Sequence, residues 1–118
     1  MVRELKKEIK SNVMGGEGDI EMQYILTIDE MLGHGRMLGR VVLPPHSSIG
    51  WHVHEGTIEP YFILEGEGIF VDTDHKRIPV KPGDVCVIED GQGHGLENPT
   101  DKDLVVIGCV LYGKGMDK

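Results

Sequence analysis

Three residues near the middle of the chain have the types and spacing of a metal site. His52 and His54 are separated by one residue, and Glu59 follows after a gap of four residues. Side chains two positions apart project from the same face of a β-strand, so two imidazoles at this spacing can bind one ion. The gap before Glu59 is long enough for a turn into the next strand. The pattern therefore predicts two histidines and a carboxylate facing one divalent ion.

His94 is a fourth candidate ligand. It follows Gly91 and Gly93, and glycine lets a backbone turn sharply or approach another chain segment closely. On spacing alone, a metal site and an ordinary set of histidines bonded to carbonyls or facing solvent both remain open. We expect the remaining histidines at the surface or in turns: His34, His46 and His75.

The elements that must position these residues are strands. Short apolar runs follow one another from Ile20 onward, and Gly, Pro, Asp and Asn separate them at intervals of about 8 to 12 residues. The 118 residues predict one domain, and the 17 glycines predict many tight turns. We therefore expect an all-β sandwich or barrel over residues 13–118. Residues 1–12 form a predicted N-terminal arm: a frayed segment, a short helix, or a strand paired with a second subunit.

Charge narrows the choice of partners and location. The chain has 12 basic and 20 acidic residues, a formal net charge of −8, and no basic cluster. We therefore expect neither nucleic acid nor membrane as a partner. The charged N-terminus lacks the apolar middle of a signal peptide, which predicts a cytoplasmic protein. Cys86 and Cys109 lie in apolar runs and are expected to be buried reduced thiols.

The histidine pattern resembles the two motifs of the cupin superfamily, and is most similar to small single-domain cupins of the oxalate decarboxylase-like type. The first motif reads His52, Val53, His54, four residues, Glu59, six residues, Gly66. The second reads Gly83, five residues, Glu89, Asp90, Gly91, two residues, His94, three residues, Asn98. Two positions depart from the pattern, because His46 stands where a glycine is expected and Glu89 stands where a proline is expected.

The resemblance implies both a fold and a ligand set. It implies a single-domain cupin-type double-stranded β-helix, which is a jelly-roll barrel, with the short N-terminal arm outside it. It implies that one divalent ion is held by His52, His54, Glu59 and His94. Mn²⁺ and Fe²⁺ suit three imidazoles and a carboxylate, and Zn²⁺ or Ni²⁺ also bind such donors. Family precedent, the leftover arm and the outward apolar residues Phe62 and Leu64 favour a homodimer.

The expected function is to bind or transform a small oxygenated anion such as oxalate, a 2-oxo acid or a hydroxy acid. Three neutral imidazoles, one carboxylate and a divalent ion leave about one positive charge, which suits such a small-molecule ligand. The residues do not decide between an oxygenase, decarboxylase or isomerase and a non-catalytic ligand-binding or sensing module. A structural ion that only stabilises the barrel is a third possibility. The catalytic candidates are Tyr61, Glu55 and Glu89.

Overall fold

The computed structural model describes residues 1–113, and nearly all regular structure in them is β-strand, which confirms the all-β prediction. Two short 3₁₀ helices, Val13–Gly15 and Asp29–Met31, interrupt the strands. The ten strands are β1 (Lys6–Ser11), β2 (Asp19–Leu26), β3 (Gly35–Leu43), β4 (Ser48–Val53), β5 (Thr57–Glu65), β6 (Gly68–Val71), β7 (Arg77–Val80), β8 (Val85–Ile88), β9 (Gly93–Glu97) and β10 (Leu104–Tyr112).

The strands form two antiparallel sheets. The larger sheet has the order β1-β2-β3-β10-β5-β8, and the smaller sheet has the order β4-β9-β6-β7. The chain passes between the sheets from β3 to β4, from β4 to β5 and from β5 to β6, so residues close in sequence alternate between the two layers. Because of these crossings, the first histidine pair and Glu59 lie on opposite sheets although only a short turn joins them.

One core lies between the two sheets. Alternate residues of β3, β5 and β8 point inward, and they meet inward residues of the smaller sheet in a single buried cluster. The cluster consists of Ile20, Val41, Leu43, Ile49, Tyr61, Ile63, Phe70, Val80, Cys86, Ile88, Leu96, Leu104 and Val106. Cys86 is buried and Cys109 is half-buried, and both are free thiols.

Residues 6–11 form a strand of the larger sheet. β1 pairs with β2 of the same chain from Lys6 opposite Tyr24 to Ser11 opposite Asp19. The sequence had left a frayed segment, a helix and an exchanged strand open for this region. The division at residue 12 stays a prediction, and residues 114–118 of the predicted domain lie outside the described residues. Within residues 1–113, no helix has the length and apolar character needed to cross a membrane.

Asn98 joins the end of β3 to the turn before β10. Its side chain is buried, and its amide nitrogen lies 2.8 Å from the Leu43 carbonyl and 2.7 Å from the Lys102 carbonyl. Its amide oxygen accepts hydrogen bonds from the backbone N–H and the hydroxyl of Thr100 at 3.0 and 2.7 Å. Asn98 is therefore the residue that closes this turn.

Replacing Asn98 is expected to destabilise the fold. Asn98→Ala leaves buried carbonyls and an N–H without partners, so the free energy of unfolding should fall by about 3 kcal/mol. Asn98→Asp has the same shape but places a carboxylate oxygen against carbonyl oxygens. The decrease in its free energy of unfolding should be at least as large. Urea unfolding followed by circular dichroism measures both. A loss below about 0.5 kcal/mol for both variants would contradict the role given to this side chain.

Candidate metal centre

Four side chains from three segments of the chain converge on one point between the sheets. The Nε2 atom of His54 lies 3.1 Å from Nε2 of His52, 3.1 Å from Nε2 of His94 and 3.1 Å from Oε1 of Glu59. Nε2 of His94 is also 3.1 Å from that carboxylate oxygen. All four ligand atoms lie within 4.8 Å of one another. The structure thus brings together the four residues that the cupin motifs single out.

Hydrogen bonds on the far side of two rings orient them. Nδ1 of His52 is 2.7 Å from the Gly50 carbonyl, which can only accept, so Nδ1 carries the proton and the Nε2 lone pair of His52 points toward the shared centre. Nδ1 of His54 is 2.8 Å from the hydroxyl of Thr57, which is buried. This contact holds the His54 ring with its Nε2 atom toward the same centre. Such outer hydrogen bonds are the usual way in which proteins orient metal-binding histidines.

The electrostatics of the group favour a neutral His52 and an ionised Glu59. Burial is the main cause that lowers the pKa of His52, and the nearby His94 and His54 lower it further, although the bond to Gly50 opposes the shift. Burial of Glu59 opposes its ionisation, but its contacts with His54 and His94 outweigh burial and hold its pKa below the usual value. A buried carboxylate among imidazole lone pairs is the donor set that a divalent cation stabilises.

Two glycines on β9 allow His94 to lie against β4, where it pairs with His52. A Cβ on Gly93 would lie 2.3 Å from Cζ2 of Trp51, and one on Gly95 would lie 3.0 Å from the Ile49 carbonyl. Trp51 itself points away from the candidate ligands. Its indole nitrogen donates to the Asp72 carbonyl at 3.0 Å, and its ring stacks on His75. The indole therefore occupies the space that the missing side chain of Gly93 leaves.

Three of the four candidate ligands, His52, His54 and Glu59, line a cavity of about 200 Å³. Tyr61 is buried in its wall, and its ring lies parallel to the His94 ring with centroids 4.9 Å apart. Burial raises the pKa of Tyr61 well above its usual value, so this phenol is neutral near pH 7. The rest of the wall is mainly apolar and includes Met22, Met37 and Val110.

The structure places the other sequence candidates outside the cavity. Glu55 and Glu89 are both exposed, and neither lines the cavity walls. Their assignment as catalytic groups stays a prediction. The three remaining histidines are exposed, as expected, with His46 hydrogen-bonded to Asp101 at 2.8 Å and with His34 and His75 in turns.

Several functional residues were missed from the sequence. Thr57 follows His54 by three residues, and an inspection of polar residues between the histidines and Glu59 would have found it. The sequence around Gly108 gives no sign of its role, because the requirement for glycine comes from side chains on neighbouring strands. A Cβ there would lie 3.2 Å from Cε of Met37 and 3.3 Å from Oε2 of Glu59. Gly108 thus keeps the space beside the carboxylate open.

Comparison with known families assigns the fold. The family model described as Cupin domain matches residues 39–110, which include both histidine motifs. The chain belongs to the cupin family. The predicted cupin-type jelly roll is thereby confirmed, and the two sheets are the two layers of that barrel.

Relatives of this cupin include proteins linked by name to oxalate. An oxalate-binding protein of Thermotoga maritima is 42% identical over 108 residues, which cover 92% of this chain and 88% of that protein. A crystal structure described as a predicted oxalate decarboxylase, also from Thermotoga maritima, matches with a TM-score of 0.88 at 41% identity and covers 95% of this chain and 98% of that one.

A more distant solved structure supports the fold alone. A cupin-superfamily sugar phosphate isomerase from Silicibacter pomeroyi matches with a TM-score of 0.73 at 22% identity, over 96% of this chain and 79% of that one. The cupin barrel is therefore shared by this chain and proteins of different described activities.

Gly93→Ala is expected to destabilise the cupin barrel through Trp51. The new methyl group would overlap the indole ring, so the free energy of unfolding should fall by about 2 kcal/mol. The same change in a Trp51→Leu background should cost less than half as much, because the overlapping atoms are gone. A double-mutant cycle measured by urea unfolding gives the coupling between the two residues. Equal costs in both backgrounds would show that the indole does not require glycine here.

Proposed function

We propose that this cupin binds one divalent metal ion through His52, His54, Glu59 and His94 and holds a small oxygenated anion on that ion. The observation that carries the proposal is the convergence of three Nε2 atoms and one carboxylate oxygen, four of whose separations are 3.1 Å and all of which lie within 4.8 Å of one another. Neutral imidazoles and a carboxylate repel one another across such distances through their lone pairs. A cation placed among them turns that repulsion into attraction.

The separations fit an ion of octahedral preference. Ligands at right angles and about 2.2 Å from a common centre are about 3.1 Å apart. His54 and His94 each make such a contact with Glu59, and all four ligand atoms lie within 4.8 Å of one another, so the four residues would hold one ion together. Mn²⁺ and Fe²⁺ suit this mixed donor set, and Zn²⁺ or Ni²⁺ would also bind.

An oxygenated anion is the ligand class that the charge of the site favours. The group with its ion would carry about one net positive charge in a mainly apolar cavity, where electrostatic attraction is strong. The oxalate-binding relative from Thermotoga maritima supports the same class. Bound there, the ion would act as a Lewis acid and as a template for the ligand's oxygens. The histidines and Glu59 would orient that ion, and Tyr61 would close the wall behind His94.

Binding is better supported than turnover. Besides His52, His54 and Glu59, the titratable residues along the cavity wall are Lys10, Tyr24, Arg36 and Tyr61. The Tyr24 hydroxyl bonds to Glu8 at 2.8 Å, and the pKa of Tyr24 is raised to about 12, chiefly by burial. Both phenols are neutral near pH 7, so neither tyrosine can act as a general base there. Transformation of the anion is the second candidate function. The observation that favours it is the hydroxyl group of Tyr61, which lies beside the proposed metal ligands and could donate a proton.

Removing one ligand is expected to abolish tight metal binding. His94→Ala should weaken Mn²⁺ affinity at least about a hundredfold, because even the outer partners of metal ligands contribute 10- to 100-fold. His46→Ala is the matched control, since His46 is exposed, bonds to Asp101 and is not one of the four proposed ligands. Metal titration with elemental analysis measures both variants. Equal metal content in both variants would refute the proposed ligand set.

Calorimetric titration of the Mn²⁺-loaded protein with oxalate tests the second half of the proposal. Heat and thermal stabilisation that vanish after chelation are the expected results. Product detected by NMR would establish turnover instead of binding alone. If chelation lowered the melting temperature but no anion bound the loaded protein, the ion would be structural and the binding function would be refuted.

We further propose that this cupin works in the cytoplasm as a homodimer without nucleic acid or membrane partners. An apolar area on the outer face of the larger sheet supports the dimer. Phe62 pairs with Val85 and Pro60 pairs with Val87, and the side chains of Phe62, Val85 and Val87 are exposed. β8 is also an edge strand of its sheet. Exposed apolar edges tend to pair, and a second copy related by a two-fold axis would cover this area.

Charges on β8 should therefore separate the dimer. The wild type is expected to have twice the chain mass of 13.1 kDa in light scattering after size exclusion. Val85→Glu with Val87→Glu should give the monomer mass, and Ile28→Glu, which changes an exposed residue elsewhere, should not. A wild type that is monomeric at every concentration would refute the proposal, and so would a double variant that remains dimeric.

A further inference from the structure

Arg36 differs from the other three arginines of the chain. Arg3 pairs with Glu30, Arg40 lies 3.7 Å from Glu65, and Arg77 pairs with Glu97. The Arg36 side chain is exposed and has no carboxylate partner within residues 1–113. It also lines the cavity that contains the candidate metal ligands. An unpaired guanidinium at such a cavity is available to an anionic ligand.

A β-bulge explains why Arg36 reaches the cavity. Consecutive side chains of a regular strand face opposite sides, yet Arg36 and Met37 both line the same cavity. Between β3 and β10 the register shifts, because Val110 pairs with Met37 and Leu111 pairs with Gly35. Arg36 is therefore the extra residue of the bulge. Bulges next to active sites commonly redirect a side chain in this way.

The register also places Arg36 at the level of Glu59. β3 and β5 lie on either side of β10. On β5, Tyr61 pairs with Gly108 and Ile58 pairs with Leu111, so Glu59 lies close to the level of Val110. Two strand spacings therefore separate the strand of Arg36 from that of Glu59, a distance of about 10 Å. Met37 occupies the wall between them, because its Cε and Oε2 of Glu59 lie 3.2 and 3.3 Å from the same point above Gly108.

Lys10 also lines the cavity but lies at a different level. It pairs with Ile20, the neighbour of Glu21, and Glu21 pairs with Val42. Val42 is six residues from Arg36 along β3, which corresponds to roughly 20 Å. Of the two cations, only Arg36 is at the level of the proposed metal site.

We propose that Arg36 binds the far carboxylate of a dicarboxylic 2-oxo or 2-hydroxy acid whose other end lies on the metal, and so sets the specificity of this site. The inference rests on the proposed metal-binding function. The order of features along the wall matches such a ligand. The residues that would hold the metal come first, the apolar side chain of Met37 follows, and the guanidinium of Arg36 comes last. A guanidinium matches a carboxylate in a two-point contact. The cavity, about 200 Å³, equals roughly seven water molecules and exceeds what a two-carbon acid needs.

The test compares two ligands of equal length on the Mn²⁺-loaded protein by calorimetry. 2-Oxopentanedioate carries the second carboxylate, and 2-oxopentanoate ends in a methyl group. The wild type should prefer the dicarboxylate by at least about tenfold, as expected for a charge-assisted contact. Arg36→Gln should reduce this preference to about onefold, and Arg36→Lys should keep part of it. Lys10→Gln is the matched control, because it removes one charge from the same cavity at another level, and its preference should stay near tenfold.

Each result separates this inference from the metal-binding proposal. If the wild type binds neither Mn²⁺ nor oxalate, the metal-binding proposal fails and the role of Arg36 fails with it. If it binds both but prefers neither five-carbon acid, the role of Arg36 is overturned and the metal site stands. If Arg36→Gln and Lys10→Gln lost the preference for the dicarboxylate equally, the preference would depend only on the total charge of the cavity. That result would also overturn the inference.

Discussion

A buried carboxylate that lies 3.1 Å from two imidazole nitrogens is the constraint around which the rest of this structure is organised. Glu59 and the Nε2 atoms of the histidines all present lone pairs to one small volume, away from bulk water. Removing such groups from water without a partner is costly, and in proteins buried charges are usually paired or bound to metal. A cation in that volume would be attracted by the three Nε2 atoms and the carboxylate at once.

The surrounding fold holds the four groups in place by geometry from both sheets. β4 carries His52, His54 directly follows it and β9 carries His94, while β5 contributes Glu59 from the opposite layer. The Gly50 carbonyl holds the proton on Nδ1 of His52, Thr57 orients the His54 ring, and Gly93 lets β9 approach under the Trp51 indole. A change in any of these supports would move a ligand atom without altering the ligand itself. The barrel therefore positions the site through backbone contacts as much as through side chains.

Much of the fold and the ligand set could be predicted from the sequence because the signals are local. Turn residues between apolar runs mark the strands, and the one-residue gap between His52 and His54 places both rings on one side of a strand. The features that could not be predicted depend on contacts between distant segments. The bulge at Arg36 exists only through its register with β10, and the need for Gly108 arises from Met37 and Glu59 on neighbouring strands. The N-terminal strand was ambiguous for the same reason, since a polar segment gains its partner only in the folded sheet.

Anomalous X-ray diffraction from crystals of the Mn²⁺-loaded protein, collected at an energy where manganese scatters strongly, tests the central claim most directly. The account predicts one strong peak between the sheets, about 2.2 Å from Nε2 of His52, His54 and His94 and from a carboxylate oxygen of Glu59. A loaded crystal with no peak among these four atoms, or with manganese held only by surface carboxylates, would contradict it.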